Sequence, residues 1–466
     1  FYLLNLSLPT SDQPSMIFGK KKTADKKETS GEPQVPNLEI KAAGVPKEEA
    51  VGLLIACRQL PGYPLAVILL ANAINSRADR ILIDFSAQGA VPRYRVDGIW
   101  EALPAMDRPT ADALLVVWKK VLGLNPAERK ARQDGKFATN FRDIDWVISF
   151  MSTGVPSGER VLFTIERKKP VLKTLADLGM RDSVQESFKG LMNGDKGMVV
   201  ISAPPTHGLP TTWRLALDNA DKFVRDWVLI DNKKNQEADI INVTEFFYED
   251  GGETPEAVFD KVRLKQPDVY VLPSLIGPQI VEALLHQIHK EQKHSVTRIV
   301  ANDAIDAVSQ ILKGNPKHAK AILGVMQGVL NQRLIRRLCE SCKQAYAPTP
   351  QLLQKLNLPA GRVPKLYKPT IPPPPEQRVD AKGNPIEIEI CKRCNGRGYF
   401  GRMALFELLI INDKMRQAIA QLLDKPDELR KFAKQNGHSG FLEEGILACA
   451  LGQTSLEEVQ RILQSK

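Results

Sequence analysis

The stretch MVVISAPPTHGLPTTWRLAL, residues 198–217, decides the fold. An apolar run enters a turn rich in proline and glycine and leaves into an amphipathic run, which is the strand–turn–helix frame of a phosphate-binding loop. Such a loop reads G-x-x-x-x-G-K-[ST], and its fixed positions fall here on Ala203, Gly208, Leu209 and Pro210. The sequence therefore predicts the shape of a nucleotide site without its ligands.

The substitutions in this loop remove the groups that hold a nucleotide. Leu209 carries no charge to neutralise phosphate, and Pro210 has neither a hydroxyl for Mg²⁺ nor a backbone N–H. Pro210 is still a good first residue of a helix. Thr211 completes the degenerate loop, and we expect His207 to be a surface residue rather than a replacement ligand. The loop predicts weak or no binding of ATP and Mg²⁺.

Length and composition indicate an ordinary globular chain. It has 466 residues, 43% hydrophobic and 25% charged, which allows two to four domains. The apolar run from Pro64 is too short for a membrane span, and the first residues lack the features of a signal peptide. The net charge of +10 suits an anionic partner, although a solvated basic surface explains it equally well.

The order of patterns predicts an α/β fold, with short apolar strands alternating with helices and hence a parallel sheet covered by helices. We read 321–338, AILGVMQGVLNQRLIRRL, as one long amphipathic helix, and the tail from Met403 as helical. The predicted domains are a disordered basic tail (1–50), an N-terminal α/β domain (51–168), a core with the degenerate loop (169–338), a tetracysteine subdomain with a Pro-rich insertion (339–402) and a helical subdomain (403–466).

Four of the six cysteines form two CxxC pairs, Cys339/Cys342 and Cys391/Cys394. Four thiolates at this spacing predict a closed, structural zinc site with no open position for catalysis. The gap of 391 − 342 = 49 positions is longer than in a typical zinc ribbon, and within it residues 371–377 read as an extended linker.

Several ordered segments resemble the type II secretion and type IV pilus assembly ATPases. RYRVDGIW, ARQDGKF and GERV resemble the N-terminal domain of that family, and KQPDVYVL resembles the approach to its Walker B strand. GVLNQRLIRRLCESCKQAY resembles a helix leading into its tetracysteine site. CKRCNGRGYFGRMALFELL and LEEGILACALGQTSLEEV resemble its C-terminal signature. The resemblance runs from about residue 50 to the end of the chain.

This resemblance implies a bilobed protomer, a RecA-like core and a hexameric motor on the cytoplasmic face of the bacterial inner membrane. It also implies that Arg93, Arg95 and Arg160 match arginines that reach phosphates across lobes or subunits in the family. Because the loop is degenerate, we favour ion pairing that holds the lobes together as their role.

The remaining nucleotide motifs of the family are degenerate too. In the acidic box Asp231 is kept, whereas Asn232 and Asn235 are neutral. Ser274 lies where the resemblance implies a glutamate that positions water, and Val300 lies where it implies a histidine. Pro273, Ile276 and Gly277 fill the other positions of the Gly-Glu and Arg-Asp pairs. Loss of four motifs together predicts a member that does not hydrolyse ATP.

We therefore expect a structural or regulatory subunit of a secretion or pilus machine. Its expected partners are copies of itself in a hexamer-like ring or an intact family ATPase, together with platform proteins and an anionic membrane surface. An active ATPase with rewired nucleotide contacts is the alternative. A zinc-containing nucleic-acid-binding protein is a third class, but the chain has no stacking platform of aromatic and basic residues, so we expect no specific nucleic acid.

Overall fold

The computed structural model describes residues 36–41, 47–168, 172–235, 240–275, 277–356, 361, 363–378 and 384–464. The chain forms two compact units that divide between Val171 and Leu172. Residues 1–35, most of the predicted tail, lie outside the described residues. Ile276, one of the altered motif positions, lies outside them as well.

The first unit is an antiparallel sheet with three helices. The helices are α1 (Lys47–Arg58), α2 (Tyr63–Asn75) and α3 (Arg108–Val121). The strands are β1 (Leu38–Lys41), β2 (Ala78–Phe85), β3 (Gly89–Val96), β4 (Ile99–Ala102), β5 (Met106–Asp107), β6 (Gln133–Phe141), β7 (Ile144–Val155) and β8 (Gly158–Arg167). Their order is β1-β6-β7-β8-β2-β3-β4, and β5 pairs with β3.

Period-2 alternation builds the core of this unit. Along β8 the residues Val161, Phe163 and Ile165 are buried while their neighbours are more exposed. Trp118 of α3 packs on that face, with its ring centroid 5.3 Å from that of Phe163 and 5.4 Å from that of Phe137. The helix is therefore held against the sheet by aromatic contacts.

The predicted tail boundary at residue 50 is wrong. Strand β1 pairs antiparallel with β6, from Leu38 opposite Phe141 to Lys41 opposite Ala138. Leu38 and Ile40 are buried in the core of the unit. The LEIK alternation over Leu38–Lys41 is a short edge-strand signal that the polar composition around it concealed.

The second unit is built on a mainly parallel sheet. Its helices are α4 (Asp182–Met192), α5 (Leu209–Asp218), α6 (Pro255–Arg263), α7 (Pro278–Lys290), α8 (Ala304–Gly314), α9 (Ala319–Val325), α10 (Pro350–Lys355), α11 (Asp413–Leu422), α12 (Pro426–Gln435), α13 (Phe441–Ala450) and α14 (Leu456–Gln464). Its strands are β9 (Gly197–Ala203), β10 (Trp227–Asn232), β11 (Val243–Tyr248), β12 (Val269–Leu272), β13 (His294–Val300), β14 (Met326–Leu338), β15 (Gln344–Tyr346), β16 (Leu366–Lys368) and β17 (Tyr399–Ile410).

The order of the large sheet is β11-β10-β12-β13-β9-β14-β17. Every pair in it is parallel except β14 with β17. All seven residues of β9 are buried, because helices cover both faces of a parallel sheet. The predicted α/β class with a parallel sheet covered by helices is confirmed.

The predicted helix over 321–338 is wrong for most of its length. Helix α9 ends at Val325, and Met326–Leu338 form β14 between β9 and β17. A strand that is buried on both faces needs no alternation of apolar and polar residues, so its pattern resembled a helix face. The predicted helical tail is wrong at its start: Met403 lies in β17, an edge strand whose residues Met403–Glu407 are all buried and therefore show no alternation, and helix begins again at Asp413.

No single helix among the described residues is long and apolar enough to cross a membrane. Two consecutive helical segments, Val51–Arg58 and Tyr63–Asn75, together have the length and apolar composition of a membrane span, but their axes are bent by 102° relative to each other.

We predict acid sensitivity of the second unit from His294, the first residue of β13. Its side chain is fully buried, and burial lowers its pKa to about 4, with a smaller contribution from Arg225. The unfolded value is about 6.5, so protons favour the unfolded chain and stability falls as pH decreases from about 6.5 toward 4. The shift corresponds to up to about 3 kcal/mol.

The measurement is the change in Tm between pH 7 and pH 5. His294→Gln should flatten that change, whereas His286→Gln, at an exposed position of α7, should not. An unaltered pH dependence in the His294 variant would show that burial of this ring does not control acid unfolding.

Candidate functional site

The four degenerate motifs meet at one end of the large sheet, where the parallel strands finish. Ala203, Asp231 and Val300 lie at the carboxyl ends of β9, β10 and β13, and Ser274 lies two residues beyond β12. Ala203 pairs directly with Val300. Ligands of such sheets bind outside the carboxyl ends of the strands, so the structure brings the predicted positions together where a nucleotide would lie.

Three of these four side chains carry no charge, and Asp231 is the one acid among them. Ser274 is exposed, and Val300 is an apolar side chain with half of its surface exposed. Asp231 is only 5% exposed, and its carboxylate accepts the N–H of Asn232 at 2.7 Å and the amide of Asn235 at 3.3 Å. The one retained acid therefore organises its own loop.

The loop between β9 and α5, residues 204–208, is a tight turn. The N–H of His207 donates to the carbonyl oxygen of Pro204 at 3.2 Å. Thr206 has φ of 65°, which is strained for a β-branched residue, and Gly208 has φ of 86° at the N-cap of α5. The N–H of His207 is therefore bonded within the loop, whereas a phosphate loop directs such amides toward its ligand.

Residues at the start of α5 do not point functional groups at a ligand. Leu209 is 9% exposed and packs in the apolar core between the sheet and α5. Pro210 and Thr211 are exposed. Where a phosphate loop needs a lysine ammonium, this chain has a leucine in its hydrophobic core.

The loop is bonded to the side of β14. The N–H of Leu334 donates to Nδ1 of His207 at 2.9 Å, and Nε2 of Gln332 donates to the carbonyl oxygen of His207 at 2.7 Å. The hydroxyl of Thr212 donates to Oε1 of Gln332. These contacts hold the closed form of the loop, and we call them the β14 lock.

His207 is half-buried, so its predicted position on the surface is wrong. Burial, together with the positive charges of Arg333, Arg402 and Arg461, lowers its pKa to about 4. The ring is therefore neutral at pH 7, and Nε2 carries its proton because Nδ1 accepts. A neutral acceptor is the form that the N–H of Leu334 requires.

The arginines that the resemblance assigned to phosphates are engaged by carboxylates. Arg93 and Arg160 both contact Asp84, at 3.1 and 2.6 Å, and Arg95 contacts Asp79 at 2.7 Å. Both acidic partners lie on β2, in the same unit as the arginines. Ion pairing is therefore found, but within the first unit.

The four predicted cysteines form a cluster. Their Sγ atoms all lie within 4.8 Å of one another. The Sγ atoms of Cys339 and Cys391 are 3.9 Å apart, and those of Cys342 and Cys394 are 3.6 Å apart. A tetrahedral ion with metal–sulfur bonds of about 2.3 Å places its ligands about 3.8 Å apart, so the cluster fits one metal ion.

Backbone geometry prepares the cluster for a cation. Burial opposes ionisation of Cys391, but hydrogen bonds from the N–H groups of Cys394 and Arg393, together with those of the Cys394 and Cys342 side chains, outweigh it and lower the pKa of this thiol to about 7. Asn395 and the two glycines that follow in CNGRG have positive φ, which turns the chain around the sulfurs. The N–H of Cys339 donates to the carbonyl oxygen of Gly398 at 3.0 Å.

Sequence reasoning did not find Gln332 and Leu334, because it placed them in a helix. The free edge of β14 arises because β14 is longer than its neighbour β9. A sequence shows such an edge only when the lengths of both strands are known. Glu458 is a further residue of this region: its buried carboxylate accepts two bonds from the Arg336 guanidinium and two from Arg461.

The fold agrees with comparisons to known proteins. Residues 62–461 match the T2SSE family of type II/IV secretion system proteins, and the chain belongs to this family. It is 28% identical over 375 residues to the type IV pilus assembly ATPase PilB of Thermus thermophilus, covering 79% of this chain but only 39% of PilB. It is 27% identical over 397 residues to the type II secretion system protein HxcR of Pseudomonas aeruginosa, covering 84% and 76%.

Among solved structures, the chain is similar to the ATPase DotB of Legionella pneumophila, with a TM-score of 0.51 at 12% identity over 85% of this chain and 94% of DotB. That likeness shows the fold alone.

We predict that the β14 lock contributes measurably to stability. His207→Ala leaves the N–H of Leu334 without its acceptor and should lower the free energy of unfolding by about 1–2 kcal/mol. His207→Asn is the matched control, because its short side chain can present an oxygen where Nδ1 lies. Urea denaturation followed by tryptophan fluorescence measures both, and equal losses in the two variants would contradict the lock.

Proposed function

We propose that this chain is a non-hydrolysing member of the secretion and pilus ATPase family and serves as a structural or regulatory subunit. The observation that carries this proposal is the closed 204–208 loop, which is bonded to β14 by its own side chains and backbone. A subunit of this kind keeps the fold of its family but has lost the side chains that bind nucleotide at the carboxyl ends of the strands.

The free energies of the missing contacts support a severe loss of nucleotide binding. The lysine charge, the Mg²⁺ hydroxyl and one N–H donor are each worth roughly 1.5–3 kcal/mol as charge-assisted contacts. Together they weaken binding by about 10³-fold or more, at 1.4 kcal/mol per tenfold. Opening the loop would cost the β14 lock in addition. Hydrolysis should fall further, because Ser274 cannot orient water as a glutamate does.

The charges around the loop favour one alternative, an ATPase with rewired contacts. Arg333, Arg402 and Arg461 all raise the positive potential at His207. Arg333 donates to the carbonyl oxygens of Asn302, at 3.0 and 3.2 Å, and Ile462, at 2.8 Å. It is therefore already engaged beside the loop, and we place this alternative second.

The tetracysteine cluster is proposed to hold structural zinc. Four soft thiolates at two CxxC spacings are the donor set that zinc takes in closed sites. All four positions are then filled by protein, so the ion would stabilise the fold and leave no place for substrate. Cys57 and Cys449 lie outside the cluster and are buried.

The proposed assembly is a hexamer-like ring, either of this chain alone or with an intact family ATPase. The proposed location is the cytoplasmic side of the bacterial inner membrane, in contact with platform proteins of a secretion or pilus machine. The net charge of +10 suits an additional anionic membrane surface. Light scattering with and without an intact ATPase separates the two rings, and sedimentation with anionic vesicles at low salt tests the membrane contact.

We predict one zinc ion per chain by elemental analysis of protein purified without chelator. Cys339→Ser together with Cys391→Ser should abolish it and unfold the subdomain, since structural zinc supplies about 10 kcal/mol or more. Cys57→Ala is the control and should retain the ion. Stoichiometric absence of metal in the unmodified protein would refute the zinc proposal.

We predict no Mg-ATP turnover by the unmodified chain. Leu209→Lys with Pro210→Thr should recover part of the nucleotide affinity, measured by calorimetry, and turnover should return only when Ser274→Glu is added. Leu209→Met with Pro210→Ala alters the same positions without the charge and the hydroxyl and should recover nothing. Hydrolysis by the unmodified chain that Arg160→Ala or Thr211→Ala abolishes would establish the rewired ATPase instead.

A further inference from the structure

Strand β14 has two halves with different neighbours. Met326–Asn331 pair with β9 on one side and, from Gly328, with β17 on the other. Pairing with β9 ends at Asn331, while pairing with β17 continues from Gln332 opposite Phe406 to Leu338 opposite Tyr399. We call this second part, Gln332–Leu338 with Tyr399–Phe406, the ribbon.

The ribbon therefore has a free edge, and the 204–208 loop uses it. The N–H of Leu334 would face water there, but Nδ1 of His207 accepts it. A Cβ on Gly208 would lie 3.2 Å from Nε2 of Gln332 and 3.5 Å from a methyl group of Leu334. The loop is thus in direct contact with the ribbon, so a movement of the ribbon would change the hydrogen bonds and packing of the loop.

The cysteines close the opposite end of the same ribbon. Cys339 directly follows β14, whereas Cys391 and Cys394 precede β17. Each short Sγ–Sγ pair, Cys339–Cys391 and Cys342–Cys394, joins one segment to the other. A bound metal ion would cross-link the two strands that the 49-position gap leaves far apart in sequence. Closing a long gap is entropically costly, and a cross-link removes that cost.

The distance between the two features is short enough for coupling. Gln332 and Cys339 are seven residues apart on an extended chain, which is about 23 Å at 3.3 Å per residue. The register is irregular between Arg336 and Leu338, so the ribbon is weakest beside the cysteines. We propose that metal occupancy of the tetracysteine cluster sets how firmly the 204–208 loop is closed, with the ribbon as the connection.

Contacts from the C-terminal segment limit the effect within the ribbon to loosening, even when the loops that carry the cysteines unfold. The N–H of Leu338 donates to the carbonyl oxygen of Gln453, the hydroxyl of Thr454 donates to that of Arg336, and Glu458 accepts the N–H of Arg336. These bonds keep the ribbon in place without a metal ion. The inference rests on the proposed zinc occupancy and is independent of whether the loop binds nucleotide.

The experiment is hydrogen exchange with mass spectrometry on the full chain, zinc-loaded and after chelation, with zinc content measured in both. Coupling of 1–3 kcal/mol corresponds to factors of 5–150, so we expect exchange at 333–338 and at 206–208 to rise about fivefold or more. Residues 227–232 of β10 should not change, and added zinc should restore both segments. Cys342→Ser with Cys394→Ser should reproduce the chelated state.

Coupling is reciprocal, which gives a second arm. His207→Ala should lower the affinity for zinc, measured by competition with a chromogenic chelator, by the factor seen in exchange at 206–208, and His207→Asn should lower it less. Exchange at 206–208 that stays constant while zinc is shown to be lost would overturn the inference. If elemental analysis finds no zinc in the unmodified protein, the metal proposal is refuted, and this inference with it. ATP turnover would refute the proposed function but would not change the result of either experiment.

Discussion

The hydrogen bond from the N–H of Leu334 to Nδ1 of His207 is the interaction on which the account of this protein depends. Strand β14 outruns β9 and is left with backbone groups that need partners. In a sheet the next strand would supply them, and here a histidine side chain from the phosphate-loop position does so. The constraint is simple: a loop that satisfies the edge of a strand cannot at the same time turn outward to surround a phosphate.

Other departures in the chain agree with this constraint. Leu209 contributes to the hydrophobic core rather than facing a ligand, and the amide of His207 is used inside the turn. Asp231 bonds to its own loop. Each of these groups is satisfied within the protein, which is the arrangement expected when no ligand completes the site. The fold of the family persists because β9, α5 and the parallel sheet depend on apolar burial and not on the nucleotide.

The parts that the sequence could predict are those with local causes. The strands around Met198–Ser202 and Trp227–Asp231 follow from short apolar runs between turns, and the cysteine cluster follows from spacing. Strand β14 could not be found in this way, because its neighbours on both sides determine its conformation. The β14 lock was missed for the same reason. Leu38–Lys41 were missed because four residues are too few to be distinguished from a polar tail.

The most direct test is nitrogen-15 NMR of the His207 ring, assigned by comparison with His207→Asn. We expect a neutral ring with the proton on Nε2 at pH 7, an unprotonated and hydrogen-bonded Nδ1, and titration near pH 4, where burial and the neighbouring arginines place its pKa. A ring that titrates near 6.5, the value of an unperturbed histidine, or that carries its proton on Nδ1 would contradict the closed loop.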